Sequence, residues 1–390
     1  MNQLRRPIAI ALAALVLVLF YFSSDRETSN VQRPPSPEES AHSLTLSGVS
    51  GSDSANLYVA DVLAELEARC DANPETAGID GDLAKDPEVT DREHDEQSRH
   101  IARTLSLSSS AENLYVAALL TTDRTEQAKL LKRAVALAPT DAFLIWSAYE
   151  LCSVADYLKN CPMDVWERWL IDADGSNSEA WVRIAANRFT AGDRRGALEA
   201  MRVAATSPQT RRYWPDTIEA VERGVAAAGG FHFGQRVEWA FGVTGAIPGS
   251  LGEVGMCSEM SAADAEWAHV CLQYGELAER HGKTQLGTSV ARSLQKIALT
   301  ALGDTEGRDA VEQRIAMHRR MSEAEFAAYD PLIEYLLMSN AEFFYAYMDA
   351  IRMDGEFAAR QRVRAQIRQR ISEQPELACV RVPEYFQLSD

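Results

Sequence analysis

NSEAWVRIAANRFTAGDRRGALEAMRVAATSP, residues 177–208, carries the residue pattern of a two-helix hairpin. Trp181 and Ile184 supply bulk in its first half, and Met201 supplies it in the second. Ala185, Ala197 and Ala204 are small. Two helices packed as a hairpin need large and small residues facing each other in this way. Gly192 and Asp193 make the turn: glycine takes the left-handed conformation that ends a helix, and aspartate caps the next one. Pro208 stops the second helix. One hairpin cannot bury its apolar face alone, so further hairpins are expected nearby.

The positions of Trp181, Ile184, Ala185, Gly192, Ala197, Met201, Ala204 and Pro208 resemble a tetratricopeptide repeat, whose period is about 34 residues. The pattern departs at Arg188, where the family carries Tyr, and at Pro208, which falls about one residue early. Residues 111–139 read as a degenerate copy through Leu114, Leu131, Ala134 and Pro139, with ALAPTDA as a junction between repeats. Residues 141–174 read as a third hairpin with Phe143, Trp146, Trp166, Trp169 and Leu170 in its core. The resemblance covers residues 111–208. It implies an all-α chain: a right-handed superhelical stack of helical hairpins, the first helix of each lining a concave groove. On that pattern Glu179, Val182, Arg183 and Ala186, with Asn187 on the next turn, are the candidate partner-binding residues. The Lys and Asn set by which some members grip a carboxylate is not matched.

The chain has 390 residues, 46% of them apolar, enough for a large core or a long stack. Its net charge of −18 argues against a nucleic-acid partner. The charge is uneven, with 18 Asp and Glu against 7 Lys and Arg in residues 25–103.

Five regions follow. Residues 1–24 hold Arg5 and Arg6 and then the uncharged run PIAIALAALVLVLFYF, which rises about 24 Å as a helix, at the short end for a bilayer span. Tyr21 and Phe22 occupy the exit where a signal peptidase wants small residues, which favours an N-terminal transmembrane signal-anchor. A cleaved signal that releases a soluble periplasmic protein is the alternative. The Arg pair keeps the N-terminus cytoplasmic and sends the body across. Residues 25–53, rich in Ser, Pro and acidic side chains, read as a flexible stalk. Residues 54–110 hold an amphipathic helix at 54–69 and an acidic loop at 71–100, in which His94 and His100 are read as solvated. The pentamer NLYVA occurs at 56–60 and again at 113–117. Residues 111–230 carry the repeats, and 231–390 a C-terminal helical domain.

In that last region, 229–255 is rich in Gly and carries Phe231, Phe233, Trp239 and Phe241. It is either a helix pair with irregular loops or the lining of a ligand pocket. Helices are expected at 261–282 with Ser261 as N-cap, at 288–303, 306–321, 323–329 and 331–352, and at 357–371. The last presents a basic face of Arg360, Arg362, Arg364, Arg368 and Arg370, read as solvated, with the acidic loop at 71–96, an anionic partner or lipid headgroups as other matches.

Six Cys permit a full set of disulfides. Cys152 and Cys161 fall across a hairpin mouth, and Cys257 and Cys271 pair if the chain before residue 261 folds back along its helix. Cys70 and Cys379 are the remainder. No Cys-x-x-Cys, Gly-x-Ser-x-Gly, phosphate loop, dinucleotide fingerprint or His-Glu-x-x-His occurs. The acidic runs at 80–86 and 172–175 lack the ligand order of a calcium loop. No catalytic residue, metal site or cofactor is therefore assigned. The expectation is a protein–protein interaction scaffold, not an enzyme, on a bacterial inner membrane with its body in the periplasm and an unknown protein partner. An all-helical periplasmic enzyme or small-ligand sensor built on 229–255, and self-association of the repeats, are the alternatives.

Overall fold

The computed structural model describes residues 91–153, 161–245, 251–327 and 331–373, almost all of them helical. The segment 1–24, the stalk 25–53, the helix at 54–69, the acidic loop up to residue 90, Cys70 and Cys379 lie outside the described residues. Among the described residues no helix is long and apolar enough to cross a membrane. Their one β feature is an isolated parallel bridge between Asn177 and Gln209.

The hairpin stretch forms α6 (Ser178–Thr190) and α7 (Arg194–Thr206); numbering starts at α1 (Asp91–Ser106). Gly192 takes φ 85° at the turn, and the Asp193 carboxylate accepts the Gly196 N–H at 2.9 Å. Ile184, Ala185, Ala197, Met201 and Ala204 are fully buried between the two helices and their neighbours. Arg188, standing in place of a ring, ties three helices. It donates to the Gly196 carbonyl at 3.0 Å and pairs with Glu167 of α5 (Met163–Asp174).

Before this hairpin, α1 packs on α2 (Ala111–Leu120), α2 on α3 (Arg124–Leu137), and α4 (Ala142–Ser153) on α5. The start of α1 falls inside the stretch expected to be a loop. Ile101, Ala102 and Leu105 give it an apolar face, and His94 is exposed as expected while one side of its ring stacks on Trp239 with centroids 4.2 Å apart. His100 is exposed as expected.

After the hairpin come α8 (Trp214–Ala228) and α9 (Phe233–Gly245). A simple solenoid touches only its sequence neighbours, but α8 turns back onto α1 and α2. Gly224 allows this approach, because a Cβ there would lie 2.9 Å from Val116. Arg223 then reaches Glu112, 111 positions earlier, at 2.8 Å.

The expected helix at 261–282 is two helices. α10 (Leu251–Ala263) ends and α11 (Ala265–His281) begins at Asp264, whose carboxylate accepts the Glu266 N–H at 2.8 Å. Ser261 is buried inside α10 and caps nothing. The break folds α10 back along α11, and Cys257 bonds to Cys271 with Cα atoms 6.0 Å apart. Cys152 and Cys161 are bonded across the α4–α5 mouth at 5.9 Å. Both pairings match the sequence reading.

Four further helices follow α12 (Gln285–Leu302). α13 (Thr305–Ala327) runs through Ser322, where a new start was expected. α14 (Pro331–Ser339) and α15 (Ala341–Asp354) divide at Asn340, which caps α15 by accepting the Phe343 N–H at 2.9 Å. α16 (Glu356–Glu373) closes the described chain.

Candidate functional site

The seven residues joining α7 to α8 are not helical, and a fully buried Asn177 explains their course. Its side-chain oxygen accepts the N–H of Glu179, capping α6, and the N–H of Arg211 at 2.9 Å. Its amide donates to Asp174 and to the Arg211 carbonyl, both at 2.8 Å. Ser178 N–H donates to the Gln209 carbonyl at 2.8 Å. The connection is thereby pinned along the start of α6, which delivers Arg212 to the interior.

Arg212 enters a cluster of charged side chains drawn from five parts of the chain. Its Nε lies 3.0 Å from Glu179 Oε2 of α6, and its Nη2 donates to Glu253 Oε1 of α10 at 3.2 Å. The Tyr274 hydroxyl of α11 donates to Glu179 Oε1 at 3.0 Å. One turn along α6, Arg183 pairs with Glu150 of α4 at 3.2 Å and lies 5.9 Å from the centre of the Trp146 ring. The exposures of the Glu150, Glu179 and Glu253 side chains are 8%, 2% and 0%, which leaves water little access. A cleft of about 10 Å³ reaches the cluster past Thr210, Ala278, Lys283 and Thr284, room for about one water.

Burial governs the titration of this group. Desolvation pushes the Glu253 carboxyl above the usual carboxylate range, against the attraction of Arg183 and Arg212 and with the help of Glu179. Glu150 is raised for the same first reason, with Arg183 and Arg212 opposing. Burial alone would lower the Arg212 guanidinium, but Glu179 and Glu253 hold it above its ordinary value. Tyr274 is pushed well up, by burial first and then by the Glu179 charge, so its hydroxyl acts as a neutral donor. Such a cluster does little for net stability, but removing one of its members exposes the full desolvation of the rest.

No protein-family model, curated protein or solved structure matches this chain.

Of the residues expected to line a groove, Glu179 and Arg183 belong to the cluster, and Val182 is fully buried. Ala186 and Asn187 are half-buried. A Cβ on Gly252 would come 3.6 Å from the Ala186 Cβ, so α10 lies directly over this face of α6. The face is occupied by the chain's own α10 and by Tyr274. Glu150, Arg212, Glu253 and Tyr274 were not singled out in the sequence. Glu150 did carry a signal, as the one charged residue in AFLIWSAYELCS.

The aromatic residues of 229–255 serve helix packing. Phe233 meets Phe344 edge-on with centroids 5.8 Å apart, Phe241 contacts Trp214, and Trp239 contacts Phe231 as well as His94. Gly229, at φ 79°, ends α8.

The basic face of α16 is divided. Arg362 pairs with Asp354 at 2.5 Å, Arg364 is buried, and Arg360 acts on the Tyr347 hydroxyl by charge and hydrogen bond. The expectation of one solvated face fails at Arg364, because α16 turns Ala359 and Val363 inward and takes Arg364 with them. The side chains of Arg368 and Arg370 lie outside the described residues.

Proposed function

We propose that this protein is a helical-repeat interaction scaffold, tethered to a membrane by residues 1–24 and holding its body in an oxidising compartment such as the bacterial periplasm. The observation that carries the compartment is the cysteine pairing. Cys152–Cys161 and Cys257–Cys271 join adjacent helices, all four residues are buried, and no described cysteine is left over. Disulfides of this structural kind persist outside the reducing cytosol. The scaffold reading draws on the large-to-small complementarity of α6 and α7 and on the likeness of residues 111–208 to tetratricopeptide repeats stacked in a right-handed superhelix. In this reading the inner face of α6 is an internal joint, and partners dock elsewhere on the helical body.

The test is topology and thiol state in cells. A reporter active only outside the cytoplasm is fused to the C-terminus, and thiols are counted with a maleimide mass tag before and after reduction. An active reporter with thiols that label only after reduction supports the proposal. A silent reporter with freely labelled thiols overturns the compartment and the tether together.

A further inference from the structure

We propose that Glu253 holds a proton in the folded protein and that this proton lets α10 lie over α6. The cluster places three carboxylates, Glu150, Glu179 and Glu253, around two guanidinium groups, Arg183 and Arg212, with the Tyr274 hydroxyl as an additional donor. Were all three carboxylates ionised, one negative charge would remain uncompensated where water scarcely reaches. A group in that position takes up a proton.

The geometry points to Glu253. Glu150 has Arg183 beside it, and Glu179 has both Arg212 and the Tyr274 hydroxyl. Glu253 touches Arg212 through Oε1 and is drawn by the Arg183 charge without an ion-pair contact to it, while its Oε2 is buried without a hydrogen-bond partner. The charged groups on the other elements packed against α10 are exposed or engaged elsewhere, and on α11 Glu266, His269, Glu276, Arg280 and His281 are all exposed. From α12, Arg292 pairs with Glu279 and Lys296 with Glu312. From α7, Arg194 pairs with Glu259 on the exposed side of α10. Lys283, at the mouth of the cleft, is exposed and donates to the Met353 carbonyl. With Glu253 protonated, two carboxylates face two guanidiniums. With Glu253 ionised, α10 brings a third negative charge toward Glu150 and Glu179, and its seat on α6 weakens.

The sign of the pH dependence follows. A carboxyl raised in the folded state stays protonated where the unfolded chain has released its proton. Its contribution is complete below the ordinary glutamate value of 4.5 and is lost as pH rises through the folded value. Within that window the folding constant falls about tenfold per pH unit for one proton, about 1.4 kcal/mol. This inference does not depend on the compartment or partner proposed above.

Urea unfolding of the oxidised full-length protein from pH 5 to pH 8 tests it, with Glu253→Gln as the variant. The expected result is that Glu253→Gln removes about one proton from the slope and is the more stable protein at pH 8. Amide exchange along α10, corrected for its intrinsic pH dependence, should then accelerate with pH in the wild type and not in the variant. A variant with the wild-type slope, or one destabilised equally at both ends of the range, overturns the proposal. Should Glu253→Gln not fold, the infrared spectrum of the wild type at pH 7 decides. A protonated-carboxyl carbonyl band supports the proposal, and its absence overturns it.

Discussion

Replacing Arg212 by Met keeps an unbranched apolar stem of similar length and deletes the guanidinium between Glu179 and Glu253. The three carboxylates then face Arg183 alone, and the fold must accept one more buried negative charge or one more proton. Protonation sets the ceiling on the cost. At pH 7 it is the gap to the ordinary glutamate value of 4.5, converted at 1.36 kcal/mol per unit, or about 3.4 kcal/mol. That lies within the range of about 3–5 kcal/mol for removing one partner of a buried pair. At pH 5 the same arithmetic leaves about 0.7 kcal/mol. The loss on Arg212→Met should therefore shrink severalfold as the solution is acidified. Adding Glu253→Gln to Arg212→Met should recover most of it at pH 7. Urea midpoints and slopes at the two pH values, measured on the oxidised protein, give each figure. A loss that is equal at pH 5 and pH 7, or smaller than about 1 kcal/mol at pH 7, would mean that water already screens these charges and that the cluster is not desolvated.

Three further outcomes are expected. Asn177→Ala removes the cap of α6 and both bonds that hold Arg211, so it should cost about 3 kcal/mol in chemical denaturation and loosen amide exchange at residues 209–212. Gly275→Ala puts a Cβ 2.9 Å from the Ala291 carbonyl oxygen where α11 meets α12, and should lower stability by about 1–3 kcal/mol; an unchanged thermal midpoint would contradict that close approach. Opening Cys152–Cys161 by paired Ser substitutions should cost about 2.6 kcal/mol, and opening Cys257–Cys271 about 3.0 kcal/mol, from the loop entropy of separations of 9 and 14. Thermal unfolding with and without reductant reads both.

Most of the helices were legible in the sequence because local chemistry sets them. The Gly192–Asp193 turn, the alanines of the α6–α7 contact and both disulfides needed only short-range spacing to be read. Boundaries failed where a small polar residue competed with a better placed one: Asp264 took the cap expected of Ser261, and Asn340 split a stretch that reads as one continuous apolar helix. The site was less legible for a different reason. Glu179 and Arg183 stand on a repeat-like helix and could be placed on one face. Their partners come from a connection, from α4, and from two helices more than 60 positions further along the chain, and no periodicity links such positions.

That gap bears on what the α6 face is for. A repeat groove that receives a partner presents polar groups to solvent and pays their desolvation only on binding. Here the same helix positions bring Glu179 and Arg183 into contact with Arg212, Glu150 and Tyr274, and α10 covers them with a carboxylate of its own. An apolar cover would leave Arg212 Nη2 without the acceptor that Glu253 supplies, although Glu179 would still balance the charge. The acidic cover supplies that acceptor, but it carries one carboxylate more than the guanidiniums can match. The seat of α10 is therefore the place in this fold where a change of one proton bears directly on the packing of helices.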